Sequence, residues 1–548
     1  MTEKVDMIGT TQDKVQTPVN MEQEVITTAH YTEYIDSHTS KWETIKKFPF
    51  ACFCIGVMIF TLVLTSFESQ AGGIVISISM FRKHFGVIQP DGSYVLEAQW
   101  QSAISGVPLA AQIIGQWTGS WLADHFGKKW VIYVSILVST AFIGIEFAAT
   151  TIQTFLAGKT MNGLCLGIIQ ASIVSYVADI TPFALRGAST ALCNISFSIG
   201  PLVCFIINYS ESDRLDSWAY RSIFAAQWGF SAISLITLLF VPDSPTYYIL
   251  KGKTEKAEAC YEKLLKDPVS IQQQMAVVIN TIKESQTSAD SCTFLDCFKG
   301  NNLKRTMVAS VPFIFCPFSG VYFTGNYTTY WFQLAGLSDS ESFKYTIGAQ
   351  LLSIAGCVAT LFVVDRFGRR TNILYGVGTI IVVDFIIGGT GLVKDNDQAL
   401  KATISFMMMY GFFYNFGLGS VCYPIASENP TSALRTKTIG LALSSTNIAG
   451  MVWSFVLPYI FNPDEGNLGA STMFIFAGFS LLFWVYFYFC VPETANRTLE
   501  EVDEMYFNKV PLRNFGSHET FSSRENEETF KNVAANEKTN ETLHVEEI

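Results

Sequence analysis

The peptide Leu122-Ala-Asp-His-Phe-Gly-Lys-Lys129 recurs in altered form as Val364-Asp-Arg-Phe-Gly-Arg-Arg370. Each copy is a short charged turn between long apolar runs. The wide separation of the copies points to a duplicated membrane-embedded unit rather than two soluble domains.

Composition supports that reading. Apolar residues make up 49% of the chain and charged residues only 15%, which leaves too little charge for a soluble surface. Twelve apolar stretches approach the ~20 residues that a spanning helix needs. They lie near 49–74, 100–123, 130–150, 152–177, 188–210, 222–241, 306–334, 345–364, 372–393, 401–426, 438–460 and 470–491. The expected organisation is a polar cytosolic tail over 1–47, a six-helix half over 48–241, a cytosolic loop over 242–305, a second six-helix half over 306–493 and a cytosolic tail over 494–548. No cleavable signal peptide is evident near residue 1. The net charge of −11 lies largely in the tails, where a packed core is not expected.

The central loop contains a helix-like run, Glu255–Lys266, and many lysines, which places it in the cytosol. The short loops are nearly balanced in Lys and Arg, so orientation rests on this loop and on Lys46–Lys47. Most cysteines fall inside apolar stretches as small buried residues, and no disulfide is expected. Helix breakers stand where a simple anchor does not need them: Pro312, Pro317, Gly320 and Gly325 in the seventh stretch, and Gly417, Gly419 and Pro424 in the tenth. Freed backbone groups survive at membrane depth only against protein or a wet cavity, so these two stretches are candidates to line a binding site.

Four further motifs stand in register with the charged turns. Asp179-Ile-Thr-Pro-Phe-Ala-Leu-Arg-Gly187 follows the fourth stretch, and Glu428-Asn-Pro-Thr-Ser-Ala-Leu-Arg435 follows the tenth. Pro242-Asp-Ser-Pro245 closes the sixth, and Pro492-Glu-Thr-Ala-Asn-Arg-Thr498 follows the twelfth. On these six motifs the chain resembles the sugar porter family of the major facilitator superfamily over residues 48–510. Within that family, Val421-Cys-Tyr-Pro, Leu434-Arg-Thr-Lys-Thr and Leu457-Pro-Tyr-Ile-Phe-Asn-Pro463 look most like fungal α-glucoside permeases of the maltose type. The resemblance implies an all-α membrane protein with twelve transmembrane helices in two six-helix halves. It implies a multi-pass protein of the plasma membrane that carries a sugar inward by alternating access, with no cofactor and no enzymatic activity. A facilitative hexose carrier and a non-transporting sugar sensor on the same scaffold remain open.

Glu68 lies deep in the first stretch, where an ionisable group is costly and marks function by default. By resemblance it takes the place of the family's aspartate, and Lys159 takes the place of an arginine in the fourth stretch. Together they form the candidate proton-coupling pair, since pairing favours a carboxylate and desolvation disfavours it. α-Glucoside symporters carry a second acid where this chain has Gln112, and another where it has Thr65, so facilitated diffusion stands beside proton symport. Asp124, Lys128, Asp179, Arg186, Asp365, Arg369, Glu428 and Arg435 are the candidate gating charges, expected to pair across the two halves.

A sugar offers hydroxyls that need donors and acceptors, and C–H faces suited to rings. Tyr322, Asn326 and Tyr330 recur every four residues, which puts them on one face of a helix. Asn194, Tyr322, Asn326, Gln350, Ser353, Tyr423, Thr446 and Asn447 are the candidate substrate-binding residues. Asn194, Tyr322, Ser353, Tyr423 and Thr446 match family binding positions by register. Cys316 and Pro317 stand where hexose carriers have glutamines, which favours a disaccharide. Nothing has the spacing of a metal site or the basic-aromatic pattern of nucleic-acid binding. The expected partners are a sugar, protons and the lipid bilayer. Asn208-Tyr-Ser210 is a glycosylation sequon if it is exposed outside, whereas Asn326-Tyr-Thr328 is expected to be buried.

Overall fold

The computed structural model describes residues 41–520 apart from 89–93, 182–184, 213, 266–270, 272–274, 276–277, 280–292, 394–395, 432–433, 463–464, 496 and 498. Helix occupies each of the twelve apolar stretches. The first six segments are Pro49–Ile74, Ala98–Phe126, Lys128–Ala148, Ile152–Ile180, Arg186–Glu211 and Trp218–Phe240. The seventh is Gly300–Phe318 continued by Val321–Asn326 and Thr328–Leu334. Asp339–Phe367 and Arg369–Leu392 follow; the tenth is Asp397–Tyr414 continued by Cys422–Glu428, and Arg435–Phe461 and Met473–Cys490 complete the set. Among the described residues, the first, third, fourth, sixth, ninth, eleventh and twelfth meet the length and apolarity of a membrane span. The fold is all-α apart from a small antiparallel ribbon that pairs Val87 with Val95 and Ile88 with Tyr94.

The first segment packs on the fifth and sixth, and the fourth on the second and third. The seventh packs on the eleventh, and the tenth on the eighth and ninth. The second meets the eleventh and the fifth meets the eighth, so these two pairs join the halves. Small residues allow the tightest contacts, as in membrane helix pairs where backbones must approach closely. Gly115 and Gly119 of the second segment face the fourth so closely that a Cβ on Gly115 would sit 2.1 Å from the Leu164 carbonyl oxygen.

Both stretches rich in helix breakers are broken. The seventh turns at Gly320, whose φ of 95° is left-handed, and the freed Ser319 carbonyl accepts the Tyr410 hydroxyl. The tenth opens into a turn of π-helix at Asn415–Gly419. There Thr360 Oγ1 donates to the carbonyls of Asn415 at 3.0 Å and Phe416 at 3.2 Å. Freed groups are thus re-satisfied by neighbouring helices.

Three expectations are corrected. Residues 494–548 are not wholly an unpacked tail. The helix Leu499–Phe507 and the turn after it bury Val502, Met505, Tyr506, Leu512 and Phe515, and the Arg305 guanidinium lies 4.3 Å from the centre of the Tyr506 ring. Asn208 is buried at 1% exposure and donates to the Cys204 carbonyl at 2.9 Å, so its sequon offers no acceptor. The stripe Tyr322–Asn326–Tyr330 does not form one continuous helical face, because the helix is interrupted at Tyr327.

Candidate functional site

A cavity of about 280 Å³ opens between the halves, near the lower edge of the volumes that hold small molecules. Its wall includes Glu68, Gln70, Ser105, Gln112, Lys159, Tyr322 and Asn326. The first, second and fourth segments supply one side and the broken seventh supplies the other, so the interruption at Gly320 and Tyr327 sets how Tyr322 and Asn326 enter it. Gly73 gives room for this approach: a Cβ there would lie 3.3 Å from Asn326 Cβ.

Glu68 and Lys159 form an ion pair at the cavity wall. Glu68 is 1% exposed and Lys159 3%. The Lys159 ammonium donates to Glu68 Oε1 and, at 2.8 Å, to the Glu68 backbone carbonyl. Gly72 is needed beside it, because a Cβ there would meet Lys159 Cε at 2.9 Å. A buried pair contributes little net stability once desolvation is counted, but removing one member leaves an uncompensated charge that costs about 3–5 kcal/mol. Such a pair is therefore better explained by its chemistry than by stability.

Of the other proposed binding residues, Tyr322 and Asn326 reach the cavity. Tyr330 packs edge-on against Phe461 and under the Arg82 guanidinium. Gln350 donates to the Ser198 carbonyl at 2.8 Å, and Ser353 accepts from Asn415 Nδ2 at 2.8 Å. Thr446 donates to the Phe313 carbonyl at 2.9 Å, and Tyr423 stands edge-on to Phe313. Gln350, Ser353 and Thr446 serve contacts between helices in this conformation, whereas Tyr423 stays exposed beside its ring contact. Asn447 donates to Gln116 Oε1 at 2.8 Å across the halves, and Gln116 continues through Gln170 to Gln112 on the cavity wall. The Asn194 side chain lies outside the described residues.

Among the described residues, the candidate gating charges that pair do so within each half, not across the halves as expected. Lys128 meets Asp179 at 2.5 Å, and Ser244 also donates to Asp179. In the second half Arg369 meets Glu428 at 3.0 Å, and Thr494 donates to Glu428 at 2.5 Å. The two turns are capped alike. Gly127 and Gly368 have φ of 92° and 84°. Asp243 accepts the Lys129 amide at 3.1 Å, and Glu493 accepts the Arg369 and Arg370 amides at 2.8 and 3.1 Å. Carboxylates at a helix start satisfy amides with no partner inside the helix. Burial pushes the Asp243 carboxyl above its ordinary range, against the pull of those amides.

The side chains of Arg186, Asp365 and Arg435 lie outside the described residues. Asp124 is exposed and carries no ion pair among the described residues. Asp179→Asn is therefore expected to impair transport several-fold more than Asp124→Asn. Uptake normalised to surface abundance checks this order, and equal losses would remove the Lys128–Asp179 cluster from any special role.

The ends expected to face outside are tied across the halves. Arg82 donates to Gln333 Oε1 at 2.8 Å, Gln333 donates to the Ser77 carbonyl at 2.7 Å, and Ser79 donates to Asp339 at 2.5 Å. No residue of this tie was singled out from the sequence, since its members look like ordinary loop polars until the chain is folded. Glu146 was also missed, although an acid within the apolar run Ile143–Ala148 was a readable signal. Among the described residues, no cluster of His, Cys, Asp or Glu could hold a metal ion.

The family described as "Sugar (and other) transporter" matches residues 53–506. The general alpha-glucoside permease of Saccharomyces cerevisiae is 28% identical over 483 residues, covering 87% of this chain and 78% of the permease. A maltose permease of the same yeast, MAL31, is 29% identical over 483 residues, covering 86% and 78%. A proton:xylose symporter of the major facilitator superfamily superposes with a TM-score of 0.67 at 18% identity, covering 84% of this chain and 99% of that one. The inward-open xylose transporter of E. coli gives a TM-score of 0.66 at 19% identity, covering 82% and 98%. At these identities the solved structures speak for the fold alone.

Proposed function

The chain belongs to the sugar (and other) transporter family, and on that premise we propose that it carries an α-glucoside of the maltose type inward across the plasma membrane, with a proton moving alongside. The observation that carries the coupling is the buried Glu68–Lys159 pair on the wall of the cavity between the halves. A carrier that only equilibrates its sugar has no need of a buried, exchangeable charge at that place. In this reading Glu68 takes its proton from outside, sugar and proton enter the cavity together, and the two halves rock around the site to release both inside.

The α-glucoside assignment is supported by the printed activities of the yeast relatives. Tyr322 offers a ring for C–H faces, while Asn326, Gln70 and Gln112 offer amides for hydroxyls. Labelled-sugar uptake in a transport-deficient host, challenged with maltose, sucrose, trehalose and glucose, tests it. Competition by maltose is expected. Competition by glucose alone would turn the assignment to a hexose carrier, and binding without uptake would turn it to a sensor.

One hydrogen bond to a ligand contributes about 0.5–1.5 kcal/mol net. Asn326→Ala is therefore expected to raise the half-saturating sugar concentration by about two- to tenfold. The same substitution at Ser353, which faces Asn415 and not the cavity, is expected to leave that concentration within about twofold.

A further inference from the structure

Behind the cavity wall lies a second buried carboxyl. Glu146, in the third segment, is 1% exposed. Its Oε1 accepts Asn162 Nδ2 at 3.1 Å, and Asn162 Oδ1 accepts the Ser139 hydroxyl at 2.7 Å. Its Oε2 faces the Lys159 ammonium at 3.8 Å. Lys159 thus stands between two acids, bonded to Glu68 and within reach of Glu146. Gly158 leaves space for this approach, since a Cβ there would lie 3.2 Å from Glu146 Cγ.

With both carboxylates ionised, this cluster holds one ammonium and two negative charges on side chains that are almost wholly buried. The titratable groups acting on it are its own three members and Cys204 of the fifth segment. Arg221 of the sixth segment lies over the Phe147 ring, and no ion pair joins it to Glu146 among the described residues. A net charge in such a place is costly, and one proton shared between the two acids makes the cluster neutral. Each acid keeps one oxygen with no hydrogen-bond partner among the described residues, Glu68 Oε2 and Glu146 Oε2. Either one can carry the proton.

We propose that Glu146 is the second holder of the coupling proton, storing it while Glu68 is paired with Lys159 and returning it when Lys159 turns to Glu146. The transfer balances. The acid Glu146 becomes a carboxylate, the carboxylate Glu68 becomes an acid, and Lys159 remains an ammonium and changes partner. Glu68 and Lys159 line the cavity and Glu146 does not, so Glu146 exchanges its proton with the cavity only through them. The inference rests on the proton-coupled reading above. It goes further in giving the proton a place inside the protein between loading and release.

Infrared difference spectroscopy of the purified full chain, titrated with pH, reads protonated carboxyls directly and needs no sugar. In the difference between wild type and variant, Glu146→Gln is expected to remove one buried carboxyl band from the titration. Glu68→Gln should remove that band as well, because Glu146 then stands opposite Lys159 as its only counter-charge and stays ionised. A band unchanged in E146Q would overturn the proposal. Asp384, buried without a hydrogen bond to either side-chain oxygen among the described residues, contributes equally to every variant and cancels in the comparison. Should E146Q fail to assemble, E146D keeps the carboxyl at a shorter reach and must shift the band; an unshifted band there overturns the proposal as well. A separate arm measures sugar-driven proton uptake by the wild type in vesicles. If no proton moves there, the coupled reading falls together with the role given to Glu146. If protons move but the E146Q band is unchanged, only the present inference falls.

Discussion

Replacing Glu68 by glutamine is expected to abolish accumulation of sugar against its gradient while leaving exchange of sugar across the membrane within about threefold of the wild type. Glutamine keeps the size of the side chain and can still accept a hydrogen bond from Lys159, but it cannot bind and release a proton. Loss of one partner from a buried pair is ordinarily destabilising by about 3–5 kcal/mol. Here Glu146 stands 3.8 Å from the same ammonium and offers a replacement counter-charge, so the variant is expected to fold. Lys159→Ala has no such relief, since it leaves two buried acids with no cation, and its abundance is expected to fall more. Accumulation ratio with and without a protonophore, together with counterflow, is the measurement. Undiminished accumulation in the Glu68 variant would remove this residue from coupling.

The second large effect is on assembly. Gly376 of the ninth segment touches Gly417 in the π-turn of the tenth, and a Cβ on Gly376 would stand 2.1 Å from the Gly417 Cα. The obstacle is backbone, which cannot rotate aside, so Gly376→Val must part the two segments. Overpacking of this kind typically costs about 1–3 kcal/mol, and more where backbone must shift. Losses of that size change cellular abundance several-fold, and a drop of about fivefold or more is expected. Gly389 in the same segment has nothing within 4 Å of its would-be Cβ, so Gly389→Ala is the control and should be neutral or slightly stabilising. Equal abundance of the two variants, read from a fluorescent fusion at the membrane, would mean that the close contact is not needed.

The breaks in the seventh and tenth segments were legible because glycine and proline act locally. A left-handed φ at Gly320 or a missing amide at a proline does not depend on distant residues. The pairing of Glu68 with Lys159 was legible for a related reason: a charge inside an apolar run must find a partner. By the same argument Glu146 and Asp384 could have been read and were not. The partners of the candidate gating charges were not legible, because nothing local distinguishes a bond within a half from a bond across halves. Lys128 and Arg369 each have acids at similar sequence distances, and only packing selects Asp179 and Glu428.

By itself the sequence determined the solvent this chain folds in, the two-fold internal repeat of its motifs, and the acid–base pair that its membrane reading demands. These follow from apolar run length, from repeated turns and from the cost of isolated charge, all of which are properties of short segments. Only the tertiary structure decided which polar side chains reach the cavity. Gln350, Ser353, Thr446 and Asn447 have the right chemistry, yet each is engaged by a neighbouring helix. The direction a side chain takes on a buried helix depends on how that helix is rotated against its neighbours. That rotation is set by close contacts such as Gly376 with Gly417, whose partners lie far apart in the chain.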